Sequence, residues 1–449
     1  MNRNEFIRRL FERARQLDPE AQCEAVFGNN SEFETQRAKG ERTEYNVSDG
    51  GGLGFRVLTH GHMGYASTQI LDEEAVELLA VGAIENAALV ESRDRQFIFP
   101  GSESYPELDT YHSALDGIDT AEKLALCEKL EKLTLAQDAR IDQAIANIFS
   151  MSHETAMANT EGLDVSMRTN ALGGWVEAVA REGDKVNTGF KVFVVDDPAK
   201  IDLEAAAAFA AKEALSGLSA EQPASGVYRV LLRSDVAATL LSTFSGVFSA
   251  DNAQRGLSRL NGREGEIIAA ECVTLMDDPH LPGGLASAPF DGEGVATRVK
   301  AVIENGRLNT LLHNLKTAHK QGVETTANAS RPGYASPVGV APANFYFRPG
   351  AEDFDAMVAR TGDGLLITEL QGMHAGANPI TGDFSLAAKG YRIEGGRIAG
   401  AVAQITVAAN FYELLKNVEA VGSDLAFEGS NVGSPCVLVK SMSVAGAAN

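Results

Sequence analysis

Only four cysteines, Cys23, Cys127, Cys272 and Cys436, are spread over a chain of 449 residues. That is neither the dense framework of a disulfide-stapled domain nor a close pair that could clamp zinc, so buried thiols are expected. Positive charge is scarce as well: 39 Lys and Arg stand against 61 Asp and Glu, a net charge of −22. No basic run could offset so negative a field on a polyanion, which argues against nucleic acid as a partner. Long apolar runs are missing, none approaching the roughly 18 residues that spanning a bilayer takes, so no membrane partner is expected. From Met1 to Leu10 charges interrupt every apolar pair, the apolar core of a secretory signal is lacking, and the expected location is cytoplasmic. The Gly-x-Ser-x-Gly elbow of serine hydrolases, the Gly-Lys-Ser/Thr phosphate loop and any repeat of fixed period are also absent.

What is present reads as an ordinary globular chain, with 44% hydrophobic and 22% charged residues. Phe6, Ile7, Leu10, Phe11, Ala14 and Leu17 form one helical stripe that Asp18-Pro19 ends. Strands are expected at Glu24–Phe27, at Tyr45–Val47 and from the glycine run Gly50–Gly54 to Val57, the last turning through His60-Gly61-His62 into Met63–Ala66. A phosphate loop would lead from strand into helix, whereas this run leads into more strand. Asp72 opens a helix, and Asp119 with Glu122 has the form of a capping box. A helix-like start near Arg140 gives way to strands at Gly174–Ala180 and Phe190–Val195, and Asp202–Leu215 is an alanine-rich helix. The small and breaker residues of Ser216–Pro223 mark a linker. Beyond it come a strand at Tyr228–Leu232, a helix capped by Ser234-Asp235 and running through Leu241, a long strand from Ile267 to Met276, and a glycine hairpin at Gly395-Gly396. The expected fold class is α+β in two domains: a mixed N-terminal α/β region over 1–220 and a strand-rich domain with a few helices over 221–449.

Eight histidines are the natural starting point for metal or proton-transfer chemistry. His60 and His62 lie in a glycine turn with no third ligand nearby, and an exposed turn is the simpler account. His313 and His319 stand six apart, about 240° on a helix, and cannot close on one ion. His280, after Asp277-Asp278-Pro279, and His374, in Gly372–Gly376, lie in loops beside strands, where functional groups often sit. The acids Asp277-Asp278 and Asp291-Gly292-Glu293-Gly294 could divide acid and base roles, although in so acidic a chain solvated turns are the default.

Several blocks together resemble the TldD/TldE (PmbA) family. They are Gly52–Val57 with Gly64–Ser67, Pro279–Leu281 with Gly284–Val295, Ile303–Gly306, Ile380–Ser385, Val421–Asp424 and the terminal strand ending Val444-Ala445-Gly446. Blocks this numerous, in the family's order, carry more weight than any one glycine motif. The resemblance implies a link to an ATP-independent cytoplasmic metallopeptidase that clips unfolded peptides, historically named a modulator of DNA gyrase and tied to maturation of a peptide antibiotic and degradation of an antitoxin.

In the TldD type, the resemblance further implies a His-Glu-x-x-x-His helix whose histidines, with a later cysteine, bind zinc while its glutamate serves as base. Registered on Arg255–Ser258 and Gly265-Glu266, that motif falls on Leu241–Gly246. Leu241 and Gly246 take the histidine positions and Ser242 the glutamate position, and these side chains cannot supply zinc ligation or a base. The cysteine ligand would lie in a segment lacking between Val421 and Gly433, and Cys436 reads as an inward-facing strand residue. The pattern is that of a TldE/PmbA-type subunit, with no metal and no catalytic residue of its own, zinc being expected in a TldD-type partner. Strand pairing with an unfolded peptide needs little side-chain identity. Asp278, His280, Asp291, Glu293 and His374 are candidate peptide-cleft residues. A second reading is a self-associating homodimer that binds peptide without turnover. A third is an independent hydrolase built on His280, Asp278, Glu293 and His374, which requires those side chains to converge.

Overall fold

The computed structural model of the chain describes residues 1–92 and 94–447. Helix α1 (Arg3–Leu17) is capped by the Asn2 side chain, which accepts from the Glu5 amide, and buries Phe6, Ile7, Leu10 and Ala14 along one stripe. Strands β1 (Gln22–Ala38) and β2 (Glu41–Thr59) follow, the latter one continuous strand holding both expected segments and the glycine run. It turns into β3 (His62–Thr68) through His60 and Gly61, both at positive φ as a two-residue turn requires. Helix α2 (Glu73–Ala88) is capped by Asp72, and α3 (Thr120–Leu135) opens with the expected reciprocal capping box of Asp119 and Glu122.

The helix-like start near Arg140 is instead strand: β4 (Ile141–Asn159) pairs with β1 on one side and β5 (Asp164–Glu182) on the other. Ala144, Ala146 and Ile148 alternate inward, and two flanking ladders override the helical leaning of the local composition. With β6 (Lys185–Val195) the strands form an antiparallel sheet in the order β3-β2-β1-β4-β5-β6. Helices α1 and α2 pack at one end against Phe55 and Val57. At the other end α3 and the alanine helix α4 (Leu203–Gly217) cover Ile148 and Val176.

Past α4, strand β7 (Gly226–Leu232) joins the strands Gly364–Gln371, Asp383–Glu394, Arg397–Asn410 and Val437–Ala445. Pairing of Arg397–Asn410 with Val437–Ala445 closes these five into a barrel. The Gly395-Gly396 hairpin is present, both residues at positive φ. Helix α5 (Ser234–Phe244) buries Leu240, Leu241 and Phe244 against the barrel, with Phe244 stacked on Phe411 at 4.7 Å. Neither Ser234 nor Asp235 is its cap; the N-cap is Arg233, and Asp235 pairs with it.

The expected long strand Ile267–Met276 is reduced to Leu275–Asp277, in a second sheet with Lys300–Glu304, Arg307–Leu308, Phe345–Phe347 and Val432–Gly433. The amides of Ile268 and Ala269 bond instead to the Gly306 carbonyl, so this apolar stretch wraps a turn rather than entering a ladder. Among the described residues no helix is long and apolar enough to cross a membrane.

Candidate functional site

The two halves meet along a seam where the segment around Tyr334 crosses the glycine run of β2. A Cβ on Gly54 would stand 1.7 Å from the Tyr334 carbonyl oxygen, and one on Gly52 would stand 2.5 Å from its ring. The run therefore allows close approach of a second backbone.

Beneath this crossing lies a buried cluster of charge. Glu24 on β1 is directly opposite Arg56 on β2, and the guanidinium donates twice, at 2.7 and 3.0 Å. Arg331, from the other half, donates to the same carboxylate at 2.6 Å. Burial pushes the Glu24 carboxyl up, but the two guanidiniums outweigh it and hold the group below its ordinary value. Glu293 accepts from the Leu315 amide at 2.8 Å and lies 3.9 Å from Arg56; burial raises it, and Arg56 only partly compensates.

Asp291 accepts from the amides of Glu293, Val295 and Ala329, at 2.9, 3.1 and 3.0 Å. Even so, burial and then the neighbouring Glu293 push its carboxyl up to about 7. The Asp291–Gly294 turn is therefore not a solvated one, as sequence default had it. Leu163 covers it from the sheet side, and the Tyr105 hydroxyl donates to the Gly294 carbonyl at 2.8 Å.

Beside the cluster is a chamber of about 330 Å³, walled by Val26, Met157, Phe290 and Tyr334 with Asp291 and Arg331. A second cavity of about 340 Å³ shares Thr169, Leu285 and Ser287 with it. Ser430 links that cavity in turn to a groove of about 300 Å³ against α5. The three together follow the seam from α5 to the buried charges.

The acid pair Asp277-Asp278 is split by the fold. Asp277 is fully buried and accepts from Lys300 at 2.7 Å, Asn328 at 2.8 Å and the Ala343 amide at 2.6 Å, a satisfied structural network. Asp278 accepts from the His280 amide at 2.9 Å, and the His280 ring sits 3.1 Å from the Thr297 hydroxyl. His374 is exposed on the short helix Met373–Gly376, which packs against the barrel strand Asp383–Glu394. Asp278 and His280 thus lie together, Glu293 is locked into the charge cluster, and His374 is elsewhere.

On α5, Leu241 points into the core and Gly246 lies in the following turn, while Ser242 faces the groove beside Asp235, Ala238, Thr239 and Thr243. Asp235 is held by Arg233 at 2.7 Å, and Glu428 across the groove is held by Lys191, also at 2.7 Å. The hydroxyls of Thr239 and Thr243 turn back onto helix carbonyls. Zinc wants three or four imidazole, thiolate or free carboxylate donors, and this donor set does not fit it. Cys436 sits one residue before the terminal strand, buried, and burial pushes its thiol well above the ordinary range. Cys272, against the expectation of buried thiols throughout, is exposed.

Glu24, Arg56 and Arg331 escaped the sequence reading. The first two left a signal: each is a charge set inside an apolar strand run, Cys23–Phe27 and Phe55–Val57, where only a buried partner makes it tolerable.

Three family models match the chain in succession: PmbA/TldA metallopeptidase domain 1 over residues 23–87, the central domain over 114–218 and the C-terminal domain over 225–446. The metalloprotease PmbA of Escherichia coli O157:H7 is 28% identical over 424 residues, covering 92% of this chain and 89% of that one. A crystal structure from Thermotoga maritima, described as a modulator of a DNA gyrase, is 34% identical with a TM-score of 0.92, covering 99% of this chain and 100% of that one. TldE from Thermococcus kodakarensis, 23% identical with a TM-score of 0.88 over 98% of this chain and 100% of that one, shares the fold.

Proposed function

The chain belongs to the PmbA/TldA metallopeptidase family, and from that premise we propose that it is a TldE/PmbA-type subunit, the non-catalytic partner of a zinc-bearing TldD-type chain acting on unfolded peptides in the cytoplasm. The observation that carries this reading is the groove face of α5: Asp235, Ala238, Thr239, Ser242 and Thr243 present hydroxyls, a methyl group and an already paired carboxylate. Hydrolysis of a peptide bond demands at least about 8 kcal/mol of barrier lowering, commonly from metal-bound water and a free base, and this face offers neither.

The role left to such a subunit is to bind and position. The run of cavities along the seam suits a peptide held extended, and backbone pairing at a strand edge accepts many sequences. Mixing the chain with a TldD-type subunit on a sizing column is expected to give one hetero-oligomeric peak whose peptide cleavage exceeds that of the TldD-type subunit alone. Separate peaks with unchanged cleavage would contradict the partnership and favour the self-associating peptide binder.

A further inference from the structure

We propose that the chamber at the buried end of the seam binds a free α-amino acid with an apolar side chain, its carboxylate toward Arg331 and its ammonium toward Asp291. This site is independent of whether the chain works with a catalytic partner.

Arg331 and Asp291 are neighbours in the chamber wall. The Asp291 carboxyl accepts from the Ala329 amide, and a Cβ on the intervening Gly292 would stand 3.2 Å from Arg331 Cγ. The Arg331 side chain is only 7% exposed, and its Nε is buried without a hydrogen-bond partner. A buried guanidinium N–H left unpaired is costly, and a carboxylate oxygen is its natural complement.

Neither group has its charge fully balanced by the protein. Burial and the adjacent Arg56 lower Arg331, while burial and Glu293 raise Asp291. In the chamber wall a lone anion would meet Asp291 and a lone cation would meet Arg331. A zwitterion answers both groups at once. Among the remaining walls, Val26, Met157, Phe290 and Tyr334 offer an apolar side chain its contact, with His153 and Asn328 as polar neighbours, and about 330 Å³ is the lower end of the range for small-molecule sites.

The test is calorimetric titration of the full chain with L-leucine, L-methionine and L-phenylalanine, and with the N-acetyl and amide forms of each. At least one free amino acid is expected to bind saturably, with each blocked form about tenfold weaker or more, since each loses one charged contact. Ala288→Phe, which fills the chamber from a half-exposed wall position, is expected to abolish binding while leaving the melting temperature near that of the wild type. Asp291→Asn is expected to weaken the free amino acid about tenfold. Failure of all three amino acids to bind, or blocked forms binding as well as free ones, would overturn the proposal, and this ligand series decides it whatever the variants do.

Discussion

Glu24 is shared by two arginines from different halves of the molecule, which makes one carboxylate the hinge of the buried charge cluster. Replacing it by glutamine strands two guanidiniums away from water, and breaking a buried pair in this way costs about 3–5 kcal/mol. Urea unfolding of Glu24→Gln is expected to show that loss; a change below about 0.5 kcal/mol, the range of ordinary surface substitutions, would contradict the cluster's role. Asp291 gives a prediction of the opposite kind. Its carboxyl is held at about 7 in the folded chain against 3.8 as an ordinary aspartate, so the native state binds the proton more tightly than the unfolded one. Its contribution is therefore full below about pH 4 and is lost as pH rises through about 7. Glu293 adds to burial in raising the group, and the amides of Glu293, Val295 and Ala329 hold it back in part. The stability of the wild type relative to Asp291→Asn is thus expected to fall as pH rises across that window, and a difference that is flat or rising would refute it. At this scale the sequence pointed to Asp291 and Glu293 as chemically interesting. It could not show their burial, because the covering groups, Leu163 and the Ala329–Arg331 segment, are far away in the chain.

Among the elements, the glycine run of β2 offers a direct comparison within one strand. Gly54→Ala drives a methyl group into the Tyr334 backbone, a contact that cannot relax without moving the seam, whereas Gly50→Ala meets nothing within 4 Å. Overpacking of this kind costs typically 1–3 kcal/mol or more, and an open position changes by about 0.5 kcal/mol at most. Thermal unfolding of the two variants is expected to separate them clearly, and equal melting temperatures would contradict the crossing. The elements that could be read in advance were those whose signal is local: the stripe of α1, the Asp119–Glu122 box of α3, and the turns at His60-Gly61 and Gly395-Gly396. Those misread took their state from distant partners. Strand β4 is fixed by ladders to β1 and β5, and Ile267–Thr274 is kept out of a sheet by hydrogen bonds to Gly306 and Leu415.

For the whole molecule, the closed packing of both halves protects three thiols and leaves one open. Burial raises Cys23 and Cys127 to about 12 and Cys436 further, while Cys272 is exposed. Partial burial raises the Cys272 thiol as well, so a thiol reagent near neutral pH is expected to find one accessible cysteine in the native chain, reacting more slowly than the four of the unfolded chain; several fast thiols in the native chain would contradict the fold. The sequence yielded the class and the family, but not the seam, since a contact between Arg331 and Glu24 leaves no mark at either position taken alone. The central claim concerns α5, whose groove side is built from hydroxyl, methyl and paired acid in a family named for metallopeptidases. Its most direct test is the zinc content of the purified chain, measured together with peptide cleavage by that chain alone. The account predicts zinc far below one per chain and no cleavage; one tightly held zinc per chain with cleavage in the absence of any partner would contradict it.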